Sequence, residues 1–288
     1  MLRTSITTPF SRARAGLTLM ELTVVMVILI ALASILLPLL PSFLTKAHDV
    51  TTTTNISEID KAVSGYFNAN LAYPNYFDSL MTGTSIYPGM TFMGTAAALP
   101  AGPFTFLNSS SGTTGTGGAT VLYGGTLTAN QAYSLTLGGI TNLMIMAATT
   151  GGNATYNANL GPPTTATAVA AVAKGTNVLF ADNGFVYNRM NIPTVNDANG
   201  NPCYFVVFGL GQYSSMVGAQ TFGVMDAPMS FGEHSFEQPT AAYARYLCVF
   251  RIFDDGQTRC QFVGCCHDDA TGFGTYDMHM QEYYQTTQ

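Results

Sequence analysis

Five cysteines, Cys203, Cys248, Cys260, Cys265 and Cys266, all fall in the last third of a chain of 288 residues. In an exported domain the default chemistry for such thiols is disulfide formation; in a reducing compartment it is metal binding or catalysis. An odd number leaves at least one thiol without a bridge, and sequence alone does not assign the connectivity. If Asp255 and Gly256 make a two-residue hairpin turn, counting outward sets Cys260 against Arg251 and Cys248 against Val263. Cys248 and Cys260 then point to opposite faces, which disfavours a bridge between them. The run Cys260-x4-Cys265-Cys266-His267 offers zinc-type ligands, but its spacing fits no common zinc pattern. Catalysis finds less support. The chain lacks the nucleophile-elbow, zinc-protease and phosphate-loop motifs, and His48, His234, His267 and His279 are not linked by any motif. No catalytic residue is assigned, and an enzyme is not the expectation.

Composition narrows the classes further. Charged residues make up only 9% of the chain, against roughly 25% in ordinary globular proteins. Residues 79 to 173 carry no charge at all, so that surface must be polar through hydroxyls, amides and backbone. Net charge is −6, and Arg3, Arg12 and Arg14 precede Leu17 with no acid among them. The rest of the chain has no basic cluster, hence no electrostatic footprint for nucleic acid.

The elements that carry these residues begin with an apolar segment. Nothing from Leu22 to Leu37 is charged, and Leu17 to Leu37 as a helix would measure about 31 Å, enough to span a bilayer. The basic residues before it would stay cytoplasmic, sending everything after residue 40 across the membrane. Glu21, a carboxylate at the mouth of this segment, is costly there unless paired. A secretory signal peptide cut at Ala31-Leu32-Ala33, or a plain uncleaved anchor, leaves Glu21 unexplained.

Gly16, Leu17-Thr18-Leu19-Met20-Glu21-Leu22, the apolar run Val24 to Ile30 and Pro38 together resemble the prepilin leader of type IV pilins and type II secretion pseudopilins. The resemblance implies cleavage after Gly16 by a prepilin peptidase, methylation of the new amino terminus at Leu17, pairing of Glu21 with a neighbouring subunit's terminal amine, and a bend at Pro38. Leu17 stands where the family usually has Phe. The partners implied are other pilin or pseudopilin subunits, an inner-membrane assembly platform with its cytoplasmic ATPase, and membrane lipid. Some major pseudopilins bind Ca²⁺ in C-terminal loops, and Asp197 with Asn199, or Asp268 with Asp269, would supply oxygen ligands; an Asx turn is the simpler reading. No cofactor is expected otherwise.

Pro38 and then Pro41 should disturb the helix. Beyond them Ile56, Ile59, Val63, Tyr66 and Phe67 form an apolar face, opposite Asn55, Glu58, Asp60, Lys61 and Asn68. Thr51 to Thr54 is poor helix material, and Ser57 to Asp60 offers an alternative helix start. The helix should end near Tyr73-Pro74, a close that resembles that of major pseudopilins. The stretch from 79 to 173 reads as loops and short strands, with Thr164 to Ala173 left as helix or loop. Strands are expected at Val178 to Phe180, Phe185 to Tyr187 after a turn at Asp182-Asn183-Gly184, Cys203 to Phe208, Tyr246 to Phe253 and Thr258 to Val263.

The expected fold class is α+β: a long N-terminal helix, with a transmembrane half and an amphipathic half, packed on a C-terminal antiparallel sheet domain with long loops. Leader 1–16, assembly helix 17–40, amphipathic half 41–74 and globular domain 75–288 are the expected divisions. The function implied is that of a structural filament subunit, first single-pass in the inner membrane with its domain outside the cytoplasm, then in a periplasmic or surface filament. The rival is an anchored exported enzyme or binding protein with an uncleaved helix.

Overall fold

The computed structural model describes residues 19–37, 40–82, 85–86, 122–145, 169–218, 223–229, 245–269 and 272–285. Two compact units divide the chain, Met1–Thr45 and Lys46–Gln288.

In the first unit, α1 (Leu19–Leu36) is a run of Leu, Val, Met, Ile and Ala. Two hydroxyls in it turn back on the helix: Thr23 Oγ1 donates to the Met20 carbonyl at 2.9 Å and Ser34 Oγ to the Ala31 carbonyl at 2.8 Å. Such bonds let a hydroxyl sit on an apolar helix without an unmet donor. Helix α2 (Leu40–Asn70) follows. It runs unbroken through the threonines because Thr51 Oγ1 and Thr54 Oγ1 donate to the carbonyls of Ala47 and Val50, while Thr52 and Thr53 are buried. Tertiary burial outweighs the small propensity cost, and no fresh helix starts at Ser57.

The second unit adds β1 (Phe77–Asp78), β2 (Met81–Thr82), β3 (Ser85–Ile86), β4 (Leu122–Thr126), α3 (Ala129–Leu137), β5 (Asn142–Met144), β6 (Val169–Ala171), β7 (Asn177–Ala181), α4 (Asn183–Arg189), β8 (Tyr204–Gly209), β9 (Leu247–Ile252), β10 (Gln261–Asp269), β11 (Gly272–Gly274) and α5 (Tyr276–Gln285). Nine of these strands form one sheet in the order β11-β10-β9-β8-β1-β5-β6, with β7 also on β8 and β4 on β7. Strands β8 and β9 lie at its centre, and every residue of both is buried. On one face Val206, Phe208, Cys248 and Phe250 pack with Ile56, Ile59 and Val63 of α2; on the other, Phe205, Val207, Leu247 and Val249 pack with Val186 of α4. Each of the three α2 side chains is at most 1% exposed, and burial of each contributes roughly 1.5–3 kcal/mol.

The expected fold class needs correction on two points. The sheet is mixed, because β1 runs parallel to β5 with Phe77 opposite Leu143 and Asp78 opposite Met144; the protein is a mixed α/β fold. Parallel neighbours require a long crossover, and here it runs through the uncharged region that gave no clear strand signal. The single long N-terminal helix is also not found among the described residues: α1 ends at Leu36 and α2 begins at Leu40. The first would be about 27 Å long, and among the described residues no helix is long and apolar enough to cross a membrane.

Two local expectations also fail. Phe185 to Tyr187 belongs to α4, not to a strand; the Val186 N–H donates to the Asp182 carbonyl at 3.0 Å and Asn183 Nδ2 to the Cys203 carbonyl at 2.8 Å, which winds the expected turn into a helix. Asp255-Gly256 is not a two-residue turn. Asp255 Oδ1 accepts from the N–H groups of Gln257 and Thr258 at 2.9 and 2.8 Å and its other oxygen accepts from the Thr258 hydroxyl. These bonds hold a wider loop from Phe253 to Cys260.

Candidate functional site

At the N-terminal end, Gly16, Leu17 and Pro38 lie outside the described residues. Glu21 stands in the first turn of α1, where the helix dipole favours a negative charge. Its apolar neighbours are open on every side: Leu19 is 80% exposed, Met20 77% and Ile30 65%. Leu22, Val25, Ile28 and Leu29 are exposed as well. A helix apolar all round, with its hydroxyls bonded internally, presents a surface suited to lipid or to other apolar helices.

The five cysteines do not gather into one site. Cys203 lies immediately before β8, in the core that also holds Phe205, its sulfur 3.3 Å from the Tyr187 hydroxyl; burial chiefly, with the Cys203 contact, pushes the Tyr187 phenol up to about 12. Cys260 sits under α3, donating its N–H to the Ser134 carbonyl at 3.0 Å. Burial pushes its thiol up to about 12, so it is protonated. Cys265 and Cys266 are adjacent on β10 and therefore face opposite cores. That separation dismantles the Cys260, Cys265, Cys266, His267 ligand set, and among the described residues no three metal-ligating side chains come together.

The expected hairpin register is corrected here. Arg251 faces Gln261 and Phe250 faces Phe262, but Val249 faces Gly264 and Cys248 faces Cys265. Val263 is an extra residue in β10, a β-bulge, and it brings the sulfurs of Cys248 and Cys265 to 3.4 Å. Nothing in the local sequence marks that bulge.

Asp60 was expected on the solvent side of α2 and instead turns inward. Its Oδ1 accepts the Cys265 N–H at 2.7 Å, so the helix is tied to β10 by a carboxylate. Burial raises its pKa from 3.8 to about 6, against the lowering effect of the Cys265 bonds. Its position, one helical turn after the buried Ile56, is the signal that could have revealed it. Nearby, Asn55 Nδ2 donates to the Tyr246 hydroxyl at 3.1 Å, and Tyr66 meets Ser215 across 3.3 Å. The helix closes where Phe67 stacks on Tyr73 at 4.4 Å between ring centroids.

Of the oxygen clusters, Asp197 Oδ1 accepts the N–H groups of Asn199 and Asn201 at 2.8 and 2.7 Å, an Asx turn completed by Gly200 at φ +79°. The Asp268 and Asp269 side chains lie outside the described residues, as do His234 and the side chains of His48 and His279. Two clefts flank α2 around Glu58, one lined with Thr53, Lys61 and Tyr276 and the other with Asn55, Met225 and Asp226. Among the described residues, neither lining includes a His or Cys to activate or act as a nucleophile. Comparison of the chain with family models, with curated proteins and with solved structures gives no match.

Proposed function

We propose that this chain is a structural filament subunit, made as a pilin-like precursor, cut after Gly16 by a prepilin peptidase and assembled through its N-terminal segment into a type IV pilus or a type II secretion pseudopilus. The observation that carries the reading is Glu21 in the first turn of a helix whose apolar surface is exposed all round. Exposed apolar area costs about 25 cal/mol per Å² in water, so the segment needs lipid or like helices as its surroundings. In lipid the carboxylate is the expensive element; beside the amine of a neighbour's Leu17 it becomes half of an ion pair. Bundling the helices therefore selects one axial register. Before assembly the segment beginning at Leu17 seats the subunit in the inner membrane, and the unit from Lys46 onward lies outside the cytoplasm.

Mass spectrometry of the mature terminus tests this. A chain beginning at N-methylated Leu17 is expected in cells that possess the processing peptidase. A chain beginning at Met1 or Ser34 would overturn the filament reading in favour of an anchored exported enzyme or binding protein.

A further inference from the structure

We infer that Cys248 and Cys265 are the pair that an oxidising thiol–disulfide donor joins, as a cross-strand disulfide between β9 and β10, leaving Cys203, Cys260 and Cys266 as thiols. The inference rests on the proposed export only for the compartment in which oxidation occurs. The geometry is independent of it.

Directly opposed residues on antiparallel strands have Cα atoms about 4.5–5.5 Å apart, inside the span of about 4.4–6.8 Å that a disulfide bridges. Cys248 and Cys265 are such a pair, on the same face, with sulfurs 3.4 Å apart. No other pairing fits. Cys266 faces the opposite core from Cys248. Cys260 precedes Gln261, which faces Arg251, so it lies toward the loop end of the hairpin, away from both Cys248 and Cys265. Cys203 adjoins Tyr204, which faces Ile252, whereas Cys266 faces Leu247 at the other end of β9.

In the reaction, one cysteine thiolate attacks the donor disulfide and expels one donor thiol, giving a mixed disulfide. The second cysteine attacks the protein sulfur of that bond and expels the other donor thiol. The cysteine pair loses two electrons and two protons, and the donor gains them. Both side chains end buried, at no more than 2% exposure, and burial holds the Cys265 thiol well above its ordinary value. The exchange, which needs a thiolate, must therefore precede closure of α2 over the hairpin. Once formed, the bridge locks the strand whose Cys265 N–H anchors Asp60 of α2.

The test is refolding of the full chain in detergent with oxidised and reduced glutathione. Free thiols are alkylated in denaturant, and the protein is digested without reduction for mass spectrometry. The expected product is one linked peptide pair holding Cys248 and Cys265, with Cys203, Cys260 and Cys266 alkylated. Reduction should also lower the urea midpoint of the wild type by about 1 M and leave the midpoint of a Cys248→Ala/Cys265→Ala variant unmoved. Any other bridge, five alkylated thiols, or an unchanged wild-type midpoint would overturn the inference. Failure of the filament reading shows separately, as a mature terminus other than Leu17 in protein that still forms this bridge on refolding.

Discussion

Substituting Asp60 by Asn isolates one ionisable group between helix and sheet. Asparagine keeps an oxygen to accept the Cys265 N–H, now 2.7 Å from Asp60 Oδ1, and removes the charge. Burial raises the Asp60 pKa from 3.8 to about 6, so the folded protein holds this proton more tightly than the unfolded chain does. Because the native state binds more protons across that window, stability falls as pH rises from about 4 to about 6, the reverse of the usual salt-bridged aspartate. The rise from 3.8 to about 6 corresponds to roughly 3 kcal/mol at pH 7, where the half-buried carboxylate is charged, and to nothing near pH 3. Urea unfolding of wild type and Asp60→Asn, followed by tyrosine signals since the chain has 15 Tyr and no Trp, should therefore give free energies that match at low pH. They should diverge in favour of the variant by about 2–3 kcal/mol at pH 7. A gap that is constant from pH 4 to pH 7, or that favours the wild type increasingly as pH rises, would refute the placement of Asp60 in the buried contact.

Other substitutions probe separate parts of the argument. Glu21→Ala should leave export and processing intact while reducing filament incorporation, read by immunoblot of sheared or membrane-extracted assemblies; normal incorporation would argue against the amine pairing. Ile59→Ala, at a side chain 1% exposed in the core beneath the sheet, should cost about 2–5 kcal/mol in urea unfolding. Gly138→Ala would drive a Cβ into the Cys260 sulfur and should cost about 1–3 kcal/mol by overpacking. Pairing it with Cys260→Ala should recover part of that loss, measured as a coupling in a double-mutant cycle.

Local periodicity made several of these features legible in the sequence. The apolar spacing from Ile56 to Val63 needs only the helical repeat to place three side chains on one face, and those are the residues buried under β8 and β9. Val178 to Phe180 and Cys203 to Phe208 are continuous apolar runs, as strands covered on both faces must be. The isolated acid at Glu21 and its spacing from Gly16 are properties of the chain itself and survive any arrangement of the rest.

What the sequence could not determine was set by contacts between distant segments. The Phe185 to Tyr187 run is β-rich in composition, yet Asn183 reaching the Cys203 carbonyl, twenty positions on, favours a helix there. The parallel pairing of β1 with β5 depends on two short segments separated by the uncharged stretch, with too few residues in either to announce a strand. A single extra residue, Val263, moves Cys265 opposite Cys248, because slipping one place along a strand changes every partner beyond it. Spacing along the chain determines which side chains share a face of one element; only the packed sheet decides which elements meet, and hence that Asp60 turns inward, half-buried against β10, and that two of five thiols touch.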